Sequence, residues 1–557
     1  MIKGVSGHSN IEPMQEKVPT SKLPDADQMP DLLHTVPELH YPKHVNAAVE
    51  MVDRHVEAGR GDNVAVYFED QAFTYADLKD RTDRLGNVLR SLGIDPGDRV
   101  FIRFPNRPEY IIACLAVQKV GAIPLPSMKL LRAQEIEYML SDSGARAAIV
   151  FDDLLPEVVE ANEAADTLDE IIVVERTGAD HEYHSFDDLI DDASADFEPH
   201  ETARDDLSLM AYTSGTTGRP KGATHTHRQM LAIADGYARY CLEPAEGDVF
   251  SGNPPIAFTY GYGVLVAFPL RFGASTALIQ DAEPTDLLEG IDRYGVTILS
   301  TVPTAYNQML SNNPNARENY DLESLRLCIS AGEPLPEHTY DKIKADLGVE
   351  TTDGIGTTEM LHIFISHRLT DEMDPTATGF PVPGYECKVV DPDTHEEVDR
   401  GEPGLLLVRG PTGITYWDRP DKQAEVIHDG WNIPGDIFVH RDDGRFEYKS
   451  RRDDLIITGG YNVPGPEVEA VLEERDEVFE SAVVGAPDEE RGKIVKAFVV
   501  LAEGSEGSGE LTQSLQDYVK DRIAPYKYPR AIEYVDELPK TETGKIQRAK
   551  LREREEH

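Results

Sequence analysis

The run "YTSGTTGRPKG", Tyr212 to Gly222, packs hydroxyls, glycines and two cations into eleven residues. Glycines let backbone N–H groups approach an anion, hydroxyls donate hydrogen bonds, and the Lys221 ammonium supplies a point charge. Phosphate is the ligand that this composition suits. The common phosphate loop is excluded, because no Gly-Lys-Ser/Thr ending follows a glycine at the required spacing. On either side stand "LSLMAY", which reads as a strand, and "THRQMLAIADGYARY", which reads as a helix. The order predicts a strand-to-helix turn whose backbone donors gather near a helix N-terminus, where an anion is favoured.

The elements that must hold such a loop follow from periodicity. "DLKDRTDRLGNVLRSLGI" carries apolar residues at helical spacing and stops at Gly93, a cap. "DRVFIRF", "AAIVF", "DVFSGNPP", "STALIQ", "VTILSTVP" and "LRLCISAG" read as short apolar strands, and "EYIIACLAVQKVGA" as a helix. Helices alternating with such strands predict an α/β fold with parallel sheets. From about residue 380 the texture changes to short strands and turns, a β-rich subdomain ("YECKVVDP", "GEPGLLLVRG"). After the polar run at 449–454 a separate α+β pattern begins, long enough for an independent unit. The expected division is an N-terminal arm at 1–46, a large domain at 47–451 and a small C-terminal domain at 452–557.

At 557 residues the chain is too long for one core. Its 54 basic against 102 acidic residues leave a charge of −48. That balance argues against nucleic acid, whose phosphates need a basic surface. It reads as a solvated acidic skin, a device of proteins that work in high salt. The acids crowd where no chemistry is apparent: residues 176–206 hold 11 acids and two arginines. Cys114, Cys241, Cys328 and Cys387 stand far apart without a C-x-x-C pair, so neither zinc nor a disulfide framework is indicated. A reducing, cytoplasmic location is expected. "MIKGVSGHSNIEPMQEK" lacks the apolar core of a signal peptide. The uncharged stretch 254–270, broken by three prolines, reads as a buried helix-and-turn segment rather than a membrane span.

"YTSGTTGRPKG" resembles the signature of the adenylate-forming superfamily, which includes acyl-CoA synthetases. The likeness continues in order through "GIGTTE" (354–359), "PGD" (434–436), "SRRDDLIITGG" (450–460) and "PKTETGK" (539–545). The resemblance implies a large N-terminal domain and a mobile C-terminal lid joined by a hinge. It implies an ATP-dependent reaction in which a carboxylic acid becomes an acyl-adenylate with release of pyrophosphate, after which coenzyme A gives a thioester and AMP. Such a site brings two anions together, so cations and dipoles must offset their repulsion.

Carried onto this sequence, the resemblance assigns Thr213, Ser214, Gly215, Thr216, Thr217, Gly218 and Lys221 to the pyrophosphate cradle. Thr358 bonds phosphate, and Glu359 holds magnesium, which prefers carboxylate and phosphate oxygens. Ala331, Gly332 and Glu333 with Asp353, Gly354, Ile355, Gly356 and Thr357 surround the adenosine. Asp436 takes the ribose hydroxyls, Arg451 reaches the nucleotide, Asp453 is the hinge, and Lys545 bridges the substrate carboxylate and the α-phosphate. Gly459 and Gly460 leave room for a pantetheine arm. Lys527 and Arg530 are either contacts to the phosphates of coenzyme A or plain lid-surface charges. Two departures stand out: "WNIPGD" lacks the Arg and Thr that often precede this acid, and Ile355 replaces an aromatic that often stacks on adenine.

"GIGTTEMLHIF", "VPELHYP" and the late run ending in "LPKTETGK" resemble the benzoate-CoA ligase branch, including 2-aminobenzoate-CoA ligases. Phe258, Tyr260, Gly261 and His362 are the pocket candidates, since flat apolar walls with a few polar groups suit a ring. A short- or medium-chain aliphatic acid is the alternative, because apolar pockets separate such acids weakly. A module loading a carrier protein would be expected to carry an Asp-Ser attachment segment, and none is read up to His557. A non-catalytic nucleotide-binding protein would be expected to lose Lys545 or Glu359, and both are present. The sequence leaves a homodimer open.

Overall fold

The computed structural model describes residues 15, 17–175, 183–213, 220–280, 282–458, 461–488, 492–540 and 546–556. Among them two large sheets form the body. The first is all parallel, with Arg99–Arg103 between Ile123–Ser127 and Ala147–Phe151, followed outward by Glu170–Val174 and His184–Ser185. The second is nine-stranded. Its centre runs parallel through Glu350–Gly356, Leu327–Ala331, Ile298–Thr301, Val249–Gly252, Ser275–Leu278 and Val64–Phe68. Antiparallel strands close its two ends. Strands buried on both faces read as continuous apolar runs, which is why Arg99–Arg103, Ala147–Phe151 and Ile298–Thr301 were legible in the sequence.

The helix Pro108–Val120 shares one apolar core with residues of both sheets, and all its residues are buried except Glu109. A helix apolar on every side belongs in a core, and this one packs against Tyr75–Ser91. That second helix starts on a reciprocal cap: Thr74 and Asp77 exchange side-chain and backbone hydrogen bonds. The uncharged stretch around residue 260 is buried as expected. Thr259–Tyr262 opens it, a widened π-turn follows at Gly263–Ala267, and Phe268–Phe272 closes it. Pro269 explains the widening, since its ring lacks an N–H and collides with the carbonyl four residues back. No described helix is long and apolar enough to cross a membrane.

The β-rich part is an antiparallel sheet that includes Glu386–Val390, Pro403–Arg409, Asp436–His440 and Phe446–Arg451. The C-terminal part has its own sheet of Val478–Asp488, Gly492–Leu501 and Ala531–Tyr534, packed on Gly465–Leu472 and Gly509–Arg522. The described part of the arm lies along the body. Gln15 donates to the carbonyls of Gly121 and Leu207, and Leu33 N–H donates to Gly410 O.

One expectation is corrected. The glycine-rich run does not join a strand to a helix. Leu207–Thr213 is followed by a second strand, Lys221–Thr226, paired antiparallel to it, and the helix His227–Ile233 begins only afterwards. "KGATHT" was readable as β-branched and alternating, but the basic and glycine residues at its start disguised it.

Candidate active site

The hairpin brings its two ends together, with Thr213 opposite Lys221. Ser214, Gly215, Thr216, Thr217 and Gly218 lie outside the described residues. At the mouth, Thr213 Oγ1 is buried with no hydrogen-bond partner among the described residues. Lys221 Nζ donates to the Tyr416 hydroxyl at 3.2 Å and sits 4.6 Å from its ring centroid. That hydroxyl donates to Glu359 Oε1 at 2.9 Å. Burial, reinforced by the Glu359 charge, raises the Tyr416 pKa, so the phenol keeps its proton.

Backbone pairing explains why three distant segments meet here. Thr224 N–H donates to Thr415 O and Trp417 N–H to Gly222 O, which lays residues 415–417 along the hairpin. His225, on the same strand, donates from Nε2 to Thr358 O at 2.9 Å. Burial pushes its pKa down to about 4, so the ring is neutral and its proton is fixed on Nε2 by that bond.

The strands Leu327–Ala331 and Glu350–Gly356 run parallel, with Ser330 opposite Asp353 and Ala331 opposite Gly354. "SAGEP" and "DGIG" therefore emerge side by side at strand C-termini, where open α/β sheets bind ligands. Gly332 adopts φ +91° in this exit, and Glu333 Oε2 accepts from Thr304 Oγ1. Ile355 pairs with Ile365 on the antiparallel neighbour, one residue before the ladder shifts register at Gly356. Asp353 Oδ1 has no hydrogen-bond partner among the described residues, and burial pushes the carboxyl up to about 7. Thr357 Oγ1 accepts from Met360 N–H, turning the chain tightly enough to put Leu361 at φ +69°.

Asp436 faces Arg451 across two adjacent strands. Arg451 Nη1 donates to both carboxylate oxygens at 3.1 and 3.2 Å, and the carboxylate charge is the main cause raising the arginine's pKa. Gly435, at φ +89°, makes the turn that aims this acid, and its carbonyl accepts from Arg452 N–H.

The ring candidates surround a histidine. His362 lies 4.6 Å from Phe268, 5.6 Å from Tyr260 and 5.7 Å from Tyr237, centroid to centroid. Its Nε2 donates to Tyr260 O at 3.4 Å, while Nδ1 has no partner among the described residues. Burial pushes its pKa down to about 3, so an uncharged imidazole faces these rings. Gly261 sits in the same turn because a Cβ there would lie 2.0 Å from Pro255 O. Phe258 precedes that helix and packs partly buried against the core.

Two family models match this chain: "AMP-binding enzyme" over residues 52–417, and the C-terminal domain of AMP-binding enzymes over residues 467–545. The chain belongs to the AMP-binding enzyme family. A benzoate–CoA ligase of Thauera aromatica is 40% identical over 527 residues, covering 94% of this chain and 98% of that protein. The solved anthranilate CoA ligase AuaEII, in complex with anthranoyl-AMP, superposes with a TM-score of 0.89 at 34% identity, covering 94% and 99% of the two chains. A benzoate CoA ligase from Burkholderia xenovorans LB400 gives 0.83 at 35% identity, covering 91% and 100%.

In this AMP-binding enzyme the C-terminal candidates are less gathered. Asp453 falls in the turn Arg452–Asp454, between the last body strand and the hairpin Leu455–Thr458 with Tyr461–Pro464. Gly459, Gly460 and Lys545 lie outside the described residues. Lys527 Nζ donates to Glu467 at 2.5 and 2.6 Å, and Arg530 Nη1 to Tyr528 OH at 2.8 Å, so both cations are engaged within the C-terminal part. Lys527, Glu467 and Lys449 line a cleft of about 700 Å³ between that part and the β-rich sheet. Sequence reasoning missed Tyr416, His225, Tyr237 and Phe268. Only Tyr416 carried a signal, the aromatic pair in "TYWDRP".

Proposed function

We propose that this chain is an ATP-dependent, AMP-forming acyl-CoA ligase acting on an aromatic carboxylic acid of the benzoate or 2-aminobenzoate type. The observation that carries the acid is the uncharged ring box around His362, beside the strand that leads to Thr358 and Glu359. Relatives named for benzoate and anthranilate agree with it.

In the first half-reaction a carboxylate oxygen of the acid attacks the α-phosphorus of ATP, and the bond to the bridging oxygen breaks as pyrophosphate leaves. In the second, the sulfur of coenzyme A attacks the acyl carbon, AMP leaves, and the thiol proton passes to solvent. Thr213 to Gly218 and Lys221 hold the departing pyrophosphate, Thr358 the phosphate, and Asp436 with Arg451 the ribose side. Ala331 to Glu333 and Asp353 to Thr357 flank the base. Lys545 bridges the reacting anions, the hinge at Asp453 withdraws it, and Gly459 and Gly460 then admit the pantetheine arm, with Lys527 and Arg530 toward the nucleotide end of coenzyme A.

Magnesium arrives with ATP. Among the described residues no cluster of three ligating side chains holds a metal alone, but one carboxylate plus phosphate oxygens is a donor set magnesium accepts. Glu359 is that carboxylate, since its interaction with Tyr416 uses a single oxygen. When bound, the ion offsets phosphate charge. The acid-rich surface points to a cytoplasm of high salt.

A panel of acids, assayed for pyrophosphate release with ATP, magnesium and high salt, with and without coenzyme A, tests the reading. Benzoate and 2-aminobenzoate are expected to lead. A clear win for acetate or butyrate overturns the aromatic assignment, and no exchange of labelled pyrophosphate with any acid overturns the ligase.

A further inference from the structure

We propose that Asp142 is a positioning residue for the pyrophosphate end of the site, acting through both ends of the glycine-rich hairpin. It lies in the last turn of the helix Ala133–Ser143, with its side chain only 9% exposed. Its Oδ2 accepts the Tyr212 hydroxyl at 2.7 Å, one residue before Thr213. Its Oδ1 accepts Arg419 Nη2 at 2.6 Å, and its backbone carbonyl accepts the Trp417 indole N–H at 3.1 Å. Four residues back on the same helix face, Tyr138 donates to Pro220 O at 3.0 Å, one residue before Lys221. Tyr138 also accepts from Arg419 at 2.5 Å.

One helix face therefore grips the hairpin where it opens, where it closes, and the segment that carries Tyr416. None of these contacts uses Thr213 Oγ1, Lys221 Nζ or the Tyr416 hydroxyl, which stay directed toward the site. A carboxylate–guanidinium pair with a buried Asp142 and a partly exposed Arg419 adds little net stability. Direction is what it supplies. Two oxygens of one rigid group fix Tyr212 and Arg419 relative to each other, and so the spacing of Thr213, Lys221 and Tyr416. Donors that need no reorganisation when charge develops on the leaving pyrophosphate are the ones that accelerate its departure.

This inference rests on the ligase reading. The experiment compares wild type with Asp142→Ala and Tyr212→Phe, the second removing one hydroxyl and leaving the fold intact should the first fail to fold. Both variants are expected to raise KM for ATP, and KM for pyrophosphate in the exchange reaction, about tenfold. Thioester formation from a supplied acyl-adenylate, a step without pyrophosphate, is expected to be unchanged. A purely structural role would lower both half-reactions in step. That result overturns the proposal, as does an unchanged KM for ATP and pyrophosphate in a variant of wild-type thermal midpoint. Protection of the thermal midpoint by ATP and magnesium reads the same comparison without any acid. Wild type protected by ATP yet idle toward every aromatic acid would sink the acid assignment and leave the Asp142 comparison intact.

Discussion

In the proposed nucleotide cradle each charged group leans on a polar or charged partner. Lys221 rests on Tyr416, Tyr416 on Glu359, and Arg451 on Asp436. In the ring box, a few residues further along the same strand exit, the histidine is neutral and its neighbours are aromatic. Among the described residues, His362 Nδ1 there has no hydrogen-bond partner, and neither has Asp353 Oδ1 at its border. The two regions prepare for ligand in opposite ways. The proposed cradle holds its charges against partners that an incoming anion could take over or share. In the proposed box, burial makes an unpartnered polar atom costly, and a ligand's own donors are groups that could complete it.

The largest expected effect follows from removing Lys545, the cation proposed to bridge the reacting anions. Lys545→Ala should slow adenylation about 10²–10³-fold, as loss of a charge aimed at the transition state does. Conversion of a supplied acyl-adenylate to thioester should persist, read by single-turnover kinetics. Equal loss in both half-reactions would show that the lysine acts elsewhere. Next comes Tyr416→Phe, which separates Lys221 from Glu359 without changing their charges. Leaving charged groups without a hydrogen-bond partner costs about 1.5–3 kcal/mol, or roughly 10–100-fold in adenylation. If the variant keeps its adenylation rate, the phenol is not what holds the two groups in register.

Much of this arrangement was legible in the chain, and the gaps have physical causes. Parallel strands buried on both faces announce themselves as apolar runs, so Ala147–Phe151 and Ile298–Thr301 were readable. The motifs point to the proposed cradle because glycines, hydroxyls and one acid at fixed spacing serve few other purposes. Tyr416 was harder to find, since its role comes from backbone pairing between segments nearly two hundred residues apart, which no local pattern encodes. Lys119 is similar: nothing in "AVQKVGA" shows that its ammonium is fully buried, 2.6 Å from Asp53 and 2.7 Å from Asp83. The second strand of the hairpin hid behind its glycine and its lysine.

His362→Ala sharpens the comparison on the box side. Removing the imidazole opens space among Phe268, Tyr260 and Tyr237, so kcat/KM for benzoate should fall about tenfold while a bulkier substituted benzoate gains. Selectivity changes in apolar pockets run to about 1–3 kcal/mol. An unchanged ranking of acids would place the ring elsewhere. The same histidine also has a pH consequence. Burial depresses its pKa to about 3, below the unfolded value near 6.5, so only the unfolded chain takes up the proton in between. Stability is therefore full above about pH 6.5 and lost as pH falls through that window. His225, pushed down to about 4, adds to the slope. In His362→Gln the acid dependence of the thermal midpoint should be shallower.

The smallest effect concerns Asp353, at the strand exit near both proposed regions. Burial raises its pKa to about 7, so near neutrality it is half ionised. An adenine amino group is a donor and bonds more strongly to the ionised form, so KM for ATP should fall as pH rises from 6 to 8, by about threefold if the charged hydrogen bond is worth about 1 kcal/mol more than a neutral one. Asp353→Asn offers an acceptor at every pH and should flatten that dependence, while the titration of ATP itself remains common to both enzymes. The stability sign is opposite to that of the histidines. A folded pKa raised above the unfolded value penalises the native state as pH rises from about 4 toward 7, so the Asn variant should gain stability above neutrality. If wild type and variant instead give superimposable KM–pH curves, the carboxylate belongs to the ring box alone, and the boundary between the two regions lies on the nucleotide side of residue 353.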